Sequence, residues 1–218
     1  MKKICVPITS LSQFGEAEKL ADLIELRLDY FSKKELSDLS ALGKNESGKK
    51  IIATIRPSRE LGKFGGGERE RLELFKKVIA CARIDFVDLE FDSKIIDGLK
   101  PFLEKRGIKL ILSKHFARTT PSLIELKALQ KKMVEKGAFA CKIVCFANKF
   151  SDNLTTLTLV KESKTPLVSF CMGEFGVISR ILSPNFGALF TFASLNAENA
   201  IASGQVPAAE LRMAYEGL

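Results

Sequence analysis

The chain has 218 residues, 46% of them hydrophobic, which supplies one sizeable core. No apolar stretch approaches the roughly 20 residues of a membrane-spanning helix, so no membrane association is expected. The formal net charge of +8 is dispersed over helical segments: Lys127, Lys131, Lys132 and Lys136 alternate with Glu125 and Glu135, a solvated face and not the basic stripe with interleaved aromatics of a nucleic-acid binder.

Short β-rich runs alternate with amphipathic segments along the whole chain. Strands are predicted over 3–8, 24–30, 51–56, 86–91, 109–116, 139–146, 167–172 and 189–193. Helices are predicted over 14–23, 32–42, 68–82, 93–105, 122–136, 152–162, 177–181 and 207–215. Ser32 is a good helix cap, Leu72, Leu74, Phe75, Val78 and Ile79 make a helical stripe, and Gly107 and Gly137 are helix stops. Strict β/α alternation implies a parallel sheet, and eight units in about 200–250 residues fit a closed (β/α)8 TIM barrel. A doubly wound open sheet is the competitor, but its GxGxxG turn is missing from Thr9-Ser10-Leu11-Ser12-Gln13-Phe14-Gly15. No linker interrupts the chain, so 1–218 is read as one domain. Met1-Lys2-Lys3-Ile4-Cys5-Val6-Pro7 lacks the apolar region and cleavage site of a secretory signal. Cys5, Cys141, Cys145 and Cys171 fall in strand-like runs and Cys81 in a helix, without a CxxC pair, which reads as reduced thiols in a cytoplasmic protein.

In a barrel of this kind the active site lies at the C-terminal ends of the strands. Polar residues gather there: Glu25 and Arg27 on the second strand, Arg56 on the third, Asp88 and Glu90 on the fourth, His115 on the fifth. Lys142 stands inside Ala138-Phe139-Ala140-Cys141-Lys142-Ile143-Val144-Cys145-Phe146. An unpaired buried ammonium is costly and tends to shed its proton, and a neutral amine attacks ketones and aldehydes. His115, the one histidine, supplies an acid/base group for imine chemistry. The plainer alternatives are a lysine whose head reaches water past the strand end, an Arg27 tied to Asp29 or Glu25 in a structural ion network, and a hydrogen-bonded strand-end histidine. Asp88 and Glu90 read as supports for the site, and Gly65-Gly66-Gly67 as a flap.

Several stretches, in order along the chain, match one family. They are Glu25-Leu26-Arg27-Leu28-Asp29, Arg56-Pro57-Ser58-Arg59-Glu60-Leu61-Gly62-Lys63-Phe64, Asp88-Leu89-Glu90, Ser113-Lys114-His115, Lys142-Ile143, Met172-Gly173, Gly176-Val177-Ile178-Ser179-Arg180, Phe186-Gly187, Thr191-Phe192 and Gly204-Gln205. By these the chain resembles the type I 3-dehydroquinate dehydratases, Schiff-base-forming lyases of the shikimate pathway of aromatic amino-acid biosynthesis. The resemblance implies syn elimination of water from 3-dehydroquinate to give 3-dehydroshikimate. It implies that Lys142 forms the imine, His115 moves the protons and Glu60 orients His115. It implies substrate binding by Glu25, Arg27, Arg56, Arg180 and Gln205, with Met172 and Phe192 as an apolar wall. It implies a small-molecule substrate, and the family is often a homodimer. The sequence carries no metal-ligand cluster and no nucleotide loop, so no cofactor and no metal are expected. The sequence is compatible with a free-standing enzyme and with a piece of a longer shikimate-pathway polypeptide.

Two departures stand out. Ile201 occupies the position of a family serine, with Ser203 as the candidate replacement, and Lys114 stands where an aromatic is common. The competing functions are an aldolase-like imine enzyme on phosphorylated sugars, or a catalytically silent barrel used as a basic binding module.

Overall fold

Period-two runs and 3.6-period stripes fold as their periodicities require. The protein is described by a computed structural model over residues 2–39 and 48–217. Among these residues eight strands alternate with eight helices: β1 (Ile4–Ile8), α1 (Phe14–Leu20), β2 (Leu23–Arg27), α2 (Lys33–Ser37), β3 (Lys50–Thr54), α3 (Glu68–Cys81), β4 (Phe86–Glu90), α4 (Ile96–Arg106), β5 (Lys109–His115), α5 (Leu123–Glu135), β6 (Ala140–Phe146), α6 (Asp152–Glu162), β7 (Leu167–Met172), α7 (Val177–Leu182), β8 (Thr191–Phe192) and α8 (Ala208–Glu216). The sheet order is β7-β6-β5-β4-β3-β2-β1-β8. Its neighbours pair in parallel. Leu189, just before β8, donates its N–H to the Leu167 carbonyl at 2.8 Å and draws the two edges together. The result is a nearly closed (β/α)8 TIM barrel, as expected.

Boundaries shift where the backbone turns or pairs locally instead of continuing the ladder. Strand β2 ends at Arg27 rather than at residue 30, because Tyr30 turns back to donate to the Arg27 carbonyl at 2.9 Å. Helix α1 stops at Leu20 because Leu23 is already paired with Cys5 in β1. Helix α2 is shorter than the predicted 32–42; residues 40–42 lie outside the described residues. Strand β8 is only two residues long, although Ala193 still donates to Cys5 at 3.0 Å. Gly107 ends α4 at φ 64, a left-handed conformation that suits glycine.

Alternation along the strands builds two apolar layers. Ile4, Val6, Ile24, Leu26, Ile51, Ala53 and Ile143 pack outward against helix residues such as Phe75, Val78 and Leu126. Cys5, Leu23, Ile52, Ile111, Ala140, Val168 and Phe190 fill the lower interior of the barrel. Above that plug the inward positions turn charged, and the site sits there.

One surface device ties two segments together. Glu35 Oε1 accepts from Ser10 Oγ at 2.7 Å and Leu11 N at 2.9 Å, while Oε2 accepts from Ser32 N at 2.8 Å and Ser32 Oγ at 2.7 Å. The Ser10 and Ser32 hydrogen bonds hold this carboxyl down to about 2. Glu35→Ala is expected to lower stability by about 1 kcal/mol, the usual worth of a helix cap, measured by denaturant melts. A carboxyl with a depressed folded-state pKa stabilises above its unfolded pKa. The difference from wild type should therefore be complete above about pH 4.3, the ordinary glutamate value, and fade as pH falls towards 2.

Candidate active site

Lys142 points into the barrel from β6 and is 5% exposed. Its Nζ lies 3.0 Å from Asp88 Oδ2 and 3.4 Å from Glu25 Oε1, and 4.1 Å from the centre of the Phe192 ring. The expectation of an unpaired amine is thus corrected: the sheet register brings carboxylates from β4 and β2 to the lysine head, and buried charges persist when paired in this way. Glu25 also accepts from Thr54 Oγ1 at 2.8 Å. Burial pushes the Asp88 carboxyl up, but Arg56, Lys142 and Ser113 outweigh it and hold it well below the usual range.

Arg56 belongs to the same network. Its Nη2 donates to Asp88 at 2.7 Å, and its Nη1 to Glu90 and to Ser113 Oγ, both at 2.7 Å. Burial pulls its pKa down, yet Asp88, Glu90 and Glu25 raise it overall. Arg56 lines the cavity, but both terminal nitrogens are engaged with the protein. Arg27 is similarly engaged, in a bidentate pair with Asp29 at 2.9 and 2.7 Å.

His115 ends β5. Its Nδ1 lies 3.1 Å from Glu60 Oε2, and the same oxygen accepts the His115 backbone N–H at 3.2 Å. Burial tends to raise the Glu60 carboxyl, but hydrogen bonds from His115 and Lys114 bring it down to about 2. An ionised carboxylate only accepts, so Nδ1 carries the proton and Nε2 is left with a free lone pair. Burial, reinforced by the charges of Arg56 and Lys142, brings His115 down to about 4 despite the hydrogen bond to Glu60. The ring is therefore neutral near pH 7. Glu60 is held by a 3-10 turn, Ser58–Glu60, that closes at Leu61 with φ 65. The chain then passes so close to Arg56 that a Cβ on Gly62 would lie 1.9 Å from the Arg56 carbonyl oxygen. Only glycine fits that return.

Arg180, from α7, is 1% exposed. Its Nη1 makes a long hydrogen bond of 3.4 Å to the Phe192 carbonyl, and its guanidinium stacks 4.3 Å from the centre of Phe170. Among the described residues, its Nε and Nη2 have no hydrogen-bond partner. Burial without a counter-charge lowers its pKa to about 10. A buried guanidinium with vacant donors is unfavourable unless something else accepts from it.

These groups share one cavity of about 350 Å³. Lys142, His115, Glu60, Glu25, Arg27, Arg56, Arg180, Gln205, Met172, Phe192 and Ser203 all line it, together with Leu61, Val144, Phe170 and Ile201. Gln205 Oε1 accepts from Ile201 N at 2.7 Å and Ala202 N at 3.3 Å, which closes the loop on itself and leaves the amide NH2 as the free donor. Gly204 (φ 76) lets this loop lie on β7, where a Cβ would come within 2.6 Å of the Gly173 carbonyl oxygen. Ser203 adds a backbone contact, accepting from Gly173 N at 3.3 Å.

Sequence reasoning missed Arg71. It is fully buried beneath the network, with one Nη on Glu68 at 3.2 Å and the other bonded to Glu90. Glu90 thus bridges two buried arginines. The spacing Arg71, Phe75, Val78 on the buried stripe of α3 was the available clue. Asp88 and Glu90 both accept from Arg56, and Asp88 also touches the lysine directly.

A barrel with a buried lysine, a carboxylate-tethered imidazole and a guanidinium lacking a carboxylate partner around one mouth has the site of an enzyme that acts on a small molecule. The type I 3-dehydroquinase family model matches residues 4–218. The chain is 36% identical to the 3-dehydroquinate dehydratase of Dehalococcoides mccartyi strain CBDB1 across 99% of its own length and 95% of the relative's. The crystal structure of 3-dehydroquinate dehydratase from Geobacillus kaustophilus superposes with a TM-score of 0.89 at 27% identity, covering 100% of this chain and 91% of that one. A type I 3-dehydroquinate dehydratase from Clostridium difficile, solved with covalent modified comenic acid, gives 0.85 at 26% identity, over 100% and 93%. The chain belongs to the type I 3-dehydroquinase family and is a lyase. Among the described residues no helix is long and apolar enough to cross a membrane.

Proposed function

We propose that the protein dehydrates 3-dehydroquinate to 3-dehydroshikimate by syn elimination through an imine on Lys142, as a step of the shikimate pathway, with residues 1–218 acting as one catalytic unit. Four buried free thiols, Cys5, Cys141, Cys145 and Cys171, favour a cytoplasmic setting. The observation that carries the reading is Arg180: a buried guanidinium with vacant donors, on the cavity that also holds Lys142 and His115. A guanidinium fork matches a substrate carboxylate. A phosphosugar aldolase would instead call for a backbone phosphate nest at this end of the barrel.

The chemistry then assigns itself to distances. Glu25 Oε1, 3.4 Å from the Lys142 head, is placed to take its proton and hand it to the carbinolamine hydroxyl that leaves as water, while Asp88 stays ionised as the counter-charge. The amine adds to the ketone carbon and water leaves, forming a protonated imine whose positive charge the two carboxylates and the Phe192 face stabilise. That imine acidifies the neighbouring C–H. His115, neutral at Nε2, removes the proton to give an enamine, and the imidazolium so formed returns a proton to the departing hydroxyl on the same face. Glu60 stabilises the imidazolium between the two steps. Hydrolysis of the conjugated imine frees product and lysine.

Purified protein given 3-dehydroquinate should develop the ultraviolet absorbance of a conjugated enone. Arg180→Met should raise KM by about 10- to 100-fold, the loss of a charge-assisted bidentate pair worth roughly 1.5–3 kcal/mol. Retro-aldol products, or a KM unchanged in that variant, would reject the assignment.

A further inference from the structure

We propose that Lys114 is a positioning residue for His115: by fixing one oxygen of Glu60, it presents the other oxygen to the imidazole and limits how strongly that carboxylate draws a proton onto the ring. The link to turnover rests on the proposed function, but the electrostatic claim does not.

Lys114 and His115 are consecutive on β5, so their side chains leave the strand on opposite faces. Glu60 lies over the end of the strand and meets both. Its Oε1 accepts from Lys114 Nζ at 2.8 Å, while its Oε2 meets His115 through backbone N at 3.2 Å and Nδ1 at 3.1 Å. A carboxylate tied at both oxygens cannot rotate without breaking a bond. Lys114 Nζ also reaches Asp92 Oδ2 at 2.9 Å, an exposed residue just after β4. Lys114 thus bridges an exposed carboxylate and the carboxylate that holds the histidine.

The charges around the ring come from every neighbouring strand end. Glu60 approaches from the turn after β3, Arg56 from the end of β3, Asp88 from β4 and Lys142 from β6. Two of these are positive and two negative. Lys114, held by Glu60, adds positive charge on the far side of that carboxylate. Without it, Glu60 would face the imidazole with its full charge and one loose oxygen. The ring would then keep its proton to higher pH, and less of it would be in the basic form. Lys114 is among the causes that hold the Glu60 carboxyl down.

The test exploits a convenience of the chain, which has one histidine. The Cε1–H resonance of the one imidazole can be titrated by NMR without substrate, in wild type, Lys114→Gln, Lys114→Arg and Asp92→Asn. Lys114→Gln is expected to move the midpoint up by about half to one pH unit, as removal of a nearby like charge does. Lys114→Arg should restore the wild-type midpoint, and Asp92→Asn should move it down. In kcat/KM the acid limb should follow the same directions. Midpoints that coincide in Lys114→Gln and wild type would overturn the inference. Should Lys114→Gln fail to fold, an unmoved midpoint in the exposed Asp92→Asn variant would overturn it equally. A protein that shows these shifts but does not dehydrate 3-dehydroquinate would leave the inference standing and reject the function.

Discussion

Borohydride added during turnover of 3-dehydroquinate is expected to fix the substrate skeleton to Lys142, read as a mass increase on the peptide that carries it. Lys142→Met should lose this label and lower kcat on the order of 10⁴-fold or more, since no other group supplies the nucleophile. The variant alone is not diagnostic. Lys142 sits between Asp88 and Glu25, and removing one partner of a buried ion set costs about 3–5 kcal/mol in stability. Part of any loss of activity would therefore be loss of fold. The label separates the two effects, because it reads the chemistry in the wild-type protein. Substrate fixed to a different lysine, or an unlabelled protein that still turns over, would remove the imine from the mechanism.

His115→Ala divides the reaction at its midpoint. Imine formation needs Lys142 and the substrate ketone, so borohydride trapping should persist. Elimination needs a base at the adjacent carbon, and kcat should drop by about 10²–10⁴-fold, the range for a positioned acid/base group. The pH profile adds a signed check. His115 works as a base only when neutral, and burial carries its titration down to about 4. In the wild type kcat/KM should thus hold well below the ordinary imidazole range near 6.5 and fall only as pH approaches 4. A profile breaking near 6.5, or near-normal turnover in His115→Ala, would take the histidine out of its role.

Much of the architecture was legible in one dimension. Eight alternations of period-two and 3.6-period patterning admit few folds, and Ser32, Ser122 and Gly107 mark helix ends as expected. Boundaries slipped where the backbone closed a local turn in place of the ladder, as at Tyr30, or where a strand pairs outside its regular stretch, as at Leu189. The candidate site was legible as a set of residue types at strand ends. Their pairing was not: nothing in the order of residues says that Asp88 and Glu25 stand beside Lys142, or that Arg56 spends its donors on Asp88, Glu90 and Ser113.

The chain alone determined that a parallel barrel forms and that a lysine, a histidine and several arginines and carboxylates collect at one mouth, because patterning and strand position are local properties. Only the tertiary structure decided which charges neutralise one another. Arg71 and Arg180 look alike in sequence, yet one is ion-paired to Glu90 and the other lines the cavity with no carboxylate partner among the described residues. The reason is physical: the energy of a charge depends on what lies within a few ångströms of it and on how much water is excluded there, and both are set by the register of strands that are distant in the chain.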